Sequence, residues 1–314
     1  MFSYIIALLA FIFFLANPLS QLFLSIGGRG GEGGGGGPPS PPQIRRTPRP
    51  PINLDLLALE ETTTTNDNTT TPRQCTKDSY SVHVFSREPL VLYIENFLSF
   101  EEQRHLLDIS APLFAPSTIT HNGGSSSQHN PTIRDSEVAV VPRTAAVRCV
   151  EDRARALQGW RDDVWIERLR TQRYRPGGHY AHHFDWSSSR GGWGRVSSFM
   201  AWVDASSGCS SGQEEKEGGD EERLEGGGTE FPLLARRGDQ RWCAFVECDD
   251  SEEEGEEKGK TGVVFKPVAG NAVYWENFRA DSTGRGYDET WHAGLPVVKG
   301  VKVGLNIWSW GRID

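Results

Sequence analysis

The sequence is short of apolar residues: 37% of its 314 positions are hydrophobic, below the ~45–50% usual for globular chains. One packed core therefore does not account for the whole chain. Cysteine is sparse. The five cysteines, at 75, 149, 209, 243 and 248, form no CxxC pair and no zinc-type spacing, which excludes a zinc ribbon or a dithiol redox motif. Their odd number leaves at least one without an intramolecular partner, and the pairing is not legible. A basic stripe is also missing. With a net charge of -9, the chain lacks the electrostatic footprint of a nucleic-acid binder. Its last four residues, Gly311-Arg312-Ile313-Asp314, resemble no retrieval signal.

The acidity that is present is local. Residues 213–225 and 247–260 together carry a net charge of -11, so the rest of the chain sums to about +2. These two segments read as acidic insertions between strands, looping out from the rim of a near-neutral domain and keeping it soluble.

Residues 2–28 carry no charge, and 4–16 and 22–26 are strongly apolar. Residues 1–28 are expected to be a signal peptide or a membrane anchor, with any attachment made through residues 4–26. Asn17 and Pro18 interrupt the run, which favours the signal type. No basic residue precedes it, whereas Arg29, Arg45, Arg46 and Arg49 follow, so charge does not settle its orientation. Residues 29–80 read as a disordered linker rich in glycine, proline and threonine, including GGEGGGGGPPSPP and RTPRPP. Such a composition cannot bury enough apolar surface to offset the entropy of ordering. Asn68-Thr69-Thr70 is a glycosylation sequon, meaningful if the segment is lumenal.

Residues 85–314 are left as one domain, close to the ~240 residues that remain once leader and linker are set aside. Leu90-Val91-Leu92-Tyr93-Ile94 suits a buried strand. Ser99 with Glu102 three residues on makes a capping box for a helix that ends before Pro112. A second helix is expected over 145–160. From 165 onwards the pattern is strand-like, over 165–174, 195–204, 262–267, 272–275 and 302–310. The expected fold is mainly β, with two helices packed on a β barrel or double-sheet jelly roll.

In Tyr180-Ala181-His182-His183-Phe184-Asp185-Trp186, His183 and Asp185 are two apart and share one face of an extended chain. They can offer an imidazole nitrogen and a carboxylate oxygen to one metal. Trp291-His292-Ala293-Gly294 can supply a third ligand from a distant strand. Two histidines and one carboxylate with open positions are the donor set of non-haem Fe(II) oxygenases. His179 and His182 have no partner at useful spacing and read as structural. Lys302 lies ten residues beyond His292, an even offset that places both on one face if no bulge intervenes. A lysine pointing into an apolar interior needs an anion, which a dicarboxylate would provide.

From about Pro89 to Trp310 the chain resembles the catalytic domain of the prolyl 4-hydroxylases, within the Fe(II)- and 2-oxoglutarate-dependent dioxygenases. The resemblance rests on the order of its parts. These are LVLYIENFLSFEE at 90–102, Arg143-Thr144, YRPGGHYAHHFD at 174–185, GGTEFP at 227–232 and HAGLPVVKGVK at 292–302. The first 88 residues find no counterpart. It implies a double-stranded β-helix holding Fe(II) on His183, Asp185 and His292. Lys302 would bind the far carboxylate of 2-oxoglutarate, helped by Tyr174 and Thr229. Tyr180, Arg195 and Trp308, with Glu167, would border the reacting centre. The implied reaction uses dioxygen to hydroxylate the 4-position of a peptidyl proline while 2-oxoglutarate is decarboxylated to succinate, with L-ascorbate restoring oxidised iron. Together with the leader, the resemblance implies the endoplasmic reticulum lumen or membrane, or the secretory pathway.

Other readings fit parts of the pattern. A dioxygenase acting on another residue or a small molecule would share the site, because substrate choice lies in rim loops such as 122–134 and 186–193. A peptide-binding jelly roll or a metal store would need no dicarboxylate anchor, which Lys302 argues against. Trp186, Trp193 and Trp202 suit either an aromatic lining for proline-rich peptides or core packing.

Overall fold

The strands at the centre of the fold are buried on both faces, because each is covered from two sides. The computed structural model describes residues 54–59, 75, 79–121, 126–128, 130–186, 192–205, 224–248 and 261–313, all within the compact unit Thr47–Asp314. In chain order the main strands are Ser81–Arg87 (β1), Leu90–Glu95 (β2), Glu137–Val140 (β3), Arg170–Tyr174 (β4), His179–His183 (β5), Trp193–Asp204 (β6), Thr229–Ala235 (β7), Thr261–Phe265 (β8), Ala272–Glu276 (β9), His292–Gly294 (β10) and Lys302–Arg312 (β11). The large sheet runs β1-β2-β9-β6-β11-β4-β3, and the small one runs β8-β7-β10-β5. All these pairings are antiparallel. The result is a double-stranded β-helix, the form of double-sheet jelly roll that the family resemblance implies.

Two helices, Phe100–Ser110 (α1) and Ala145–Leu157 (α2), cover one face of the large sheet. Between them and the sheet lie Leu106, Val147, Val150, Phe199, Leu305 and Ile307. The other face meets the small sheet across Tyr93, Trp202, Phe231, Phe265 and Trp275. This double cover explains why β11 is buried almost throughout instead of alternating. The capping box of α1 forms as expected, with Ser99 accepting from Glu102 N and Glu102 accepting from Ser99 N. Glu102 also receives a two-pronged pair from Arg153 of α2, at 2.8 and 2.9 Å, with both side chains buried. Losing one partner strands a charge in the core. Glu102→Ala is expected to cost ~3–5 kcal/mol, read as a shift in the urea midpoint; an unchanged midpoint would refute the assignment.

Two expectations need correction. The stretch 29–80 is not uniformly a linker. Leu54–Leu56 form a 3-10 turn, and Leu57 and Ala58 are each 2% exposed. Leu57 bridges to Glu167, Ala58 N donates to Ile166 O, and Arg168 N donates to Leu56 O. Arg143 and Arg155 donate to the carbonyls of Leu59 and Ala58. Cys75 is joined to Cys149 of α2. The expected single strand over 165–174 is also divided, into Val164–Ile166 and β4. The residues between turn aside to meet the docked segment.

The other disulfide joins Cys243 to Cys248; Cys209 lies outside the described residues. So do the leader at 1–28 and the acidic insertions 213–225 and 247–260, apart from 224, 225, 247 and 248. In sequence the first lies between β6 and β7 and the second between β7 and β8. No helix among the described residues is long and apolar enough to cross a membrane.

Candidate active site

His183 ends β5 and sits directly opposite His292, which opens β10. Asp185 follows two residues later. Its carboxylate oxygens lie 3.7 Å from His183 Nε2 and 3.9 Å from His292 Nε2, and the three donor atoms fall within 4.8 Å of one another. The ring of each histidine is oriented by its own backbone. Nδ1 of His183 donates to Ala181 O and Nδ1 of His292 donates to Thr290 O, both at 2.8 Å. A carbonyl can only accept, so both Nδ1 atoms carry a proton and both Nε2 atoms face the cluster. Burial, reinforced by His183, pushes His292 down to about 4, which keeps it neutral and able to ligate at physiological pH. Burial alone would raise Asp185, but the facing histidines and Arg195 outweigh it and hold the carboxylate ionised, well below its usual range. A carboxylate and two imidazoles on one side, with the other side open, fit a divalent iron.

Facing the cluster is a cavity lined by Gln172, Tyr174, Tyr180, Thr229 and Lys302. Lys302 opens β11 in register with Tyr174 of β4 and is fully buried. Its ammonium donates to Gly227 O and lies 4.6 Å over the Tyr174 ring. Burial pushes it down to about 7. Thr229 Oγ1 and Gln172 Nε2 are buried beside it without a partner; the amide oxygen of Gln172 accepts from Tyr174 OH. Three donors therefore converge where no lining carboxylate but Asp185 exists. Unsatisfied buried donors are costly, and an anion reaching from the metal cluster to Lys302 would satisfy all three. The residues present thus fit 2-oxoglutarate as well as iron.

Sequence reasoning misplaced one relation here. His292 and Lys302 do not share the face of one strand. The chain turns at Gly300, where φ is +80°, so that His292 belongs to the small sheet and Lys302 to the large one. They meet from opposite sides of the cavity. A comparable crossing at Gly177-Gly178 carries the chain from β4 to β5. Gly177 has φ +87°, and a Cβ on Gly178 would lie 2.8 Å from Arg175 O, so the corner admits no side chain.

Tyr180 stacks on the His183 ring at 3.7 Å between centroids, with the Arg134 guanidinium 4.6 Å over it. Arg195 and Trp308 stand beside the cavity. Arg195 is clamped by Glu167 at 2.6 and 3.1 Å, lies 4.0 Å over the Trp308 ring, and reaches Asp185 O at 3.5 Å. Trp310 Nε1 donates to the same Glu167. Gln172 and Arg134 carried no signal in the sequence, because an amide or a guanidinium gains meaning only from what surrounds it. The three tryptophans weighed as a peptide lining pack instead. Trp202 is in the core, Trp193 packs at a tilt against Trp165, and Trp186 donates to Thr290 Oγ1. His182 pairs with Glu230, and His179 hydrogen-bonds to backbone carbonyls.

Comparison with known proteins agrees with this geometry. Residues 169–310 match the family model of the 2OG-Fe(II) oxygenase superfamily, a span that holds every donor named above. No curated protein matches the chain. Among solved structures, a viral collagen prolyl hydroxylase from Paramecium bursaria Chlorella virus-1 is 23% identical, covering 70% of this chain and 96% of its own, with a TM-score of 0.45. A prolyl-4-hydroxylase from Pseudomonas putida is 15% identical over 71% of this chain and 92% of its own, with a TM-score of 0.38. A prolyl hydroxylase from Trichoplax adhaerens, in complex with a hypoxia inducible factor peptide fragment, is 12% identical over 70% and 83%, with a TM-score of 0.41. With the matching span and the iron-type donor set in one place, residues 169–310 form a domain of the 2OG-Fe(II) oxygenase superfamily.

Proposed function

We propose that this enzyme hydroxylates peptidyl proline at the 4-position, coupled to decarboxylation of 2-oxoglutarate to succinate, with ascorbate restoring oxidised iron. The observation that carries the choice of substrate is the rim beside the metal ligands. Arg195 and Arg170, each about one-quarter exposed at the side chain, flank Trp308 and share Glu167. Proline has a carbonyl but no N–H. A proline-rich backbone therefore offers acceptors without matching donors, and a rim of guanidinium groups offers donors alone. The order of motifs from YRPGGHYAHHFD to HAGLPVVKGVK supports the same reading.

Iron with 2-oxoglutarate and dioxygen supplies the oxidant for an unactivated C–H bond, which no side chain can supply. The chain contributes position and exclusion. His183, Asp185 and His292 hold the metal. Lys302 and Thr229 hold the far carboxylate, with Tyr174 fixing the ammonium from above. Phe231 and Trp275 pack against the His292 ring and keep water from that side. Arg195, anchored by Glu167, orients the peptide carbonyl next to the cavity. The two disulfides support an oxidising compartment, as the leader does, and so the secretory pathway or endoplasmic reticulum.

The test is succinate release from 2-oxoglutarate with and without proline-rich peptides, at controlled iron and ascorbate. The expected result is stimulation of at least ~10-fold, a modest share of the rate that substrate binding can supply, with one hydroxyproline per succinate. Stimulation only by a different substrate would replace the reading with another dioxygenase. Peptide binding with no turnover would leave a binding module.

A further inference from the structure

The backbone of Glu167 is held from two sides. On one side its N–H donates to Trp308 O of β11. On the other it bridges to Leu57 of the docked segment 54–59, where Ala58 N donates to Ile166 O at 2.8 Å and Arg168 N to Leu56 O at 2.7 Å. Glu167 falls in the break between Val164–Ile166 and β4, so β11 and the segment together fix the direction of its side chain. That direction matters. The carboxylate, 2% exposed, clamps Arg195 at 2.6 and 3.1 Å and accepts from Trp310 Nε1. Arg195 in turn reaches the carbonyl of the metal ligand Asp185. The segment itself is gripped by Arg143, just ahead of α2, and by Arg155 within it, which donate to the carbonyls of Leu59 and Ala58.

We propose that residues 54–59 are a positioning element of the substrate site: docked, they hold Glu167 so that Arg195 is set for substrate beside the metal ligands. The inference rests on the proposed function for the identity of that substrate, and on the contacts alone for the clamp. None of residues 54–59 lines the cavity that faces the metal ligands, whereas Gln172, Thr229 and Lys302 all do. The segment therefore serves the Arg195 side of the site and not the dicarboxylate anchor. An unheld guanidinium samples many rotamers. A fork gripped by a carboxylate that is itself held by two strands has lost that freedom before substrate arrives. Orientation of this kind supplies a large part of an enzyme's acceleration, so a residue remote from the chemistry governs it when it governs the clamp. Leu57 and Ala58, each 2% exposed, are buried for this purpose as well as for packing.

The test uses the full chain carrying Ala58→Pro, which deletes the N–H that donates to Ile166 O and leaves the cavity lining untouched. Hydrogen exchange in metal-free protein comes first. Arg168 N–H reports docking and Arg195 Nε–H reports the clamp, and both are expected to exchange at least ~10-fold faster than in the wild type. An Arg195 that keeps its protection while Arg168 loses it overturns the inference, as does an Arg168 that stays protected. In turnover of a proline-rich peptide, kcat/KM is expected to fall ~10-fold, while the Kd of 2-oxoglutarate stays within ~twofold. Equal losses in both would show general loosening and overturn the positioning role. Ala58→Pro is also expected to add nothing to the loss caused by Arg195→Leu, because the two act in series. Losses that multiply would place its action elsewhere. If no proline-rich peptide is turned over, the proposed function falls, and the exchange measurement still decides this inference.

Discussion

His183→Ala is expected to lower 2-oxoglutarate turnover by at least ~10³-fold, the ~4 kcal/mol that several kcal/mol of metal-derived stabilisation implies. The reason is the division of labour within each imidazole. His183 Nδ1 is committed to Ala181 O, so Nε2 is its sole free lone pair, and it points at Asp185 and His292. Truncation leaves a two-donor site. The neighbouring histidine supplies the control. His182 is exposed, with Nε2 bound to Glu230 and its ring stacked on Trp291, so His182→Ala is expected to retain activity within about twofold, as surface substitutions do. Metal content by mass spectrometry should fall in the first variant and not in the second. Turnover at the wild-type level in His183→Ala would remove the metal assignment altogether.

The second large effect combines a gain with a loss. Lys302→Met is expected to raise the KM for 2-oxoglutarate by ~10²–10³-fold, the equivalent of breaking a buried charge pair. The same substitution should stabilise the ligand-free protein. In the absence of an anion Lys302 is a fully buried ammonium with one carbonyl partner, and a hydrophobic residue of like volume is often better tolerated there by ~1–4 kcal/mol. At ~2–4 °C per kcal/mol the rise in Tm is readily measured.

The pH dependence follows from sign. Burial holds the folded-state value down at about 7, below the 10.5 of an exposed lysine, so between those limits the unfolded chain binds the extra proton. Stability of the wild type therefore increases as pH rises through that window, and the advantage of Lys302→Met shrinks accordingly. Binding of a dicarboxylate reverses the shift, so above pH 7 it should draw in a proton, visible by calorimetry in buffers of different ionisation enthalpy. A variant less stable than wild type at pH 7, with unchanged affinity for 2-oxoglutarate, would refute the anchor.

His183, Asp185, His292 and Lys302 were legible because each sits in a short motif whose neighbours are diagnostic, and because the motifs fall in a fixed order. Helix α1 was equally plain, since Ser99 and Glu102 mark its start locally. What stayed hidden depends on contacts across the chain. Leu-Asp-Leu-Leu-Ala-Leu at 54–59 is too short to announce itself amid proline and threonine, and its partner at 166–168 is a hundred residues away. The same docking splits the strand expected at 165–174. Likewise, the turn at Gly300 reads as an innocuous glycine, yet it moves Lys302 onto the other sheet and invalidates parity counting from His292. Gln172 looks like any strand glutamine until its amide nitrogen is found buried and alone.

That transfer between sheets has a consequence for selectivity. The metal ligands ride on one sheet and the anion anchor on the other, so the span between them is a calliper whose jaws are the sheets themselves. Phe231, stacked on the His292 ring, and Trp275, which meets that ring edge-on from the cavity wall, bear on its opening. On the proposed reading, the length of dicarboxylate that fits depends in part on Phe231, which stands outside the cavity lining.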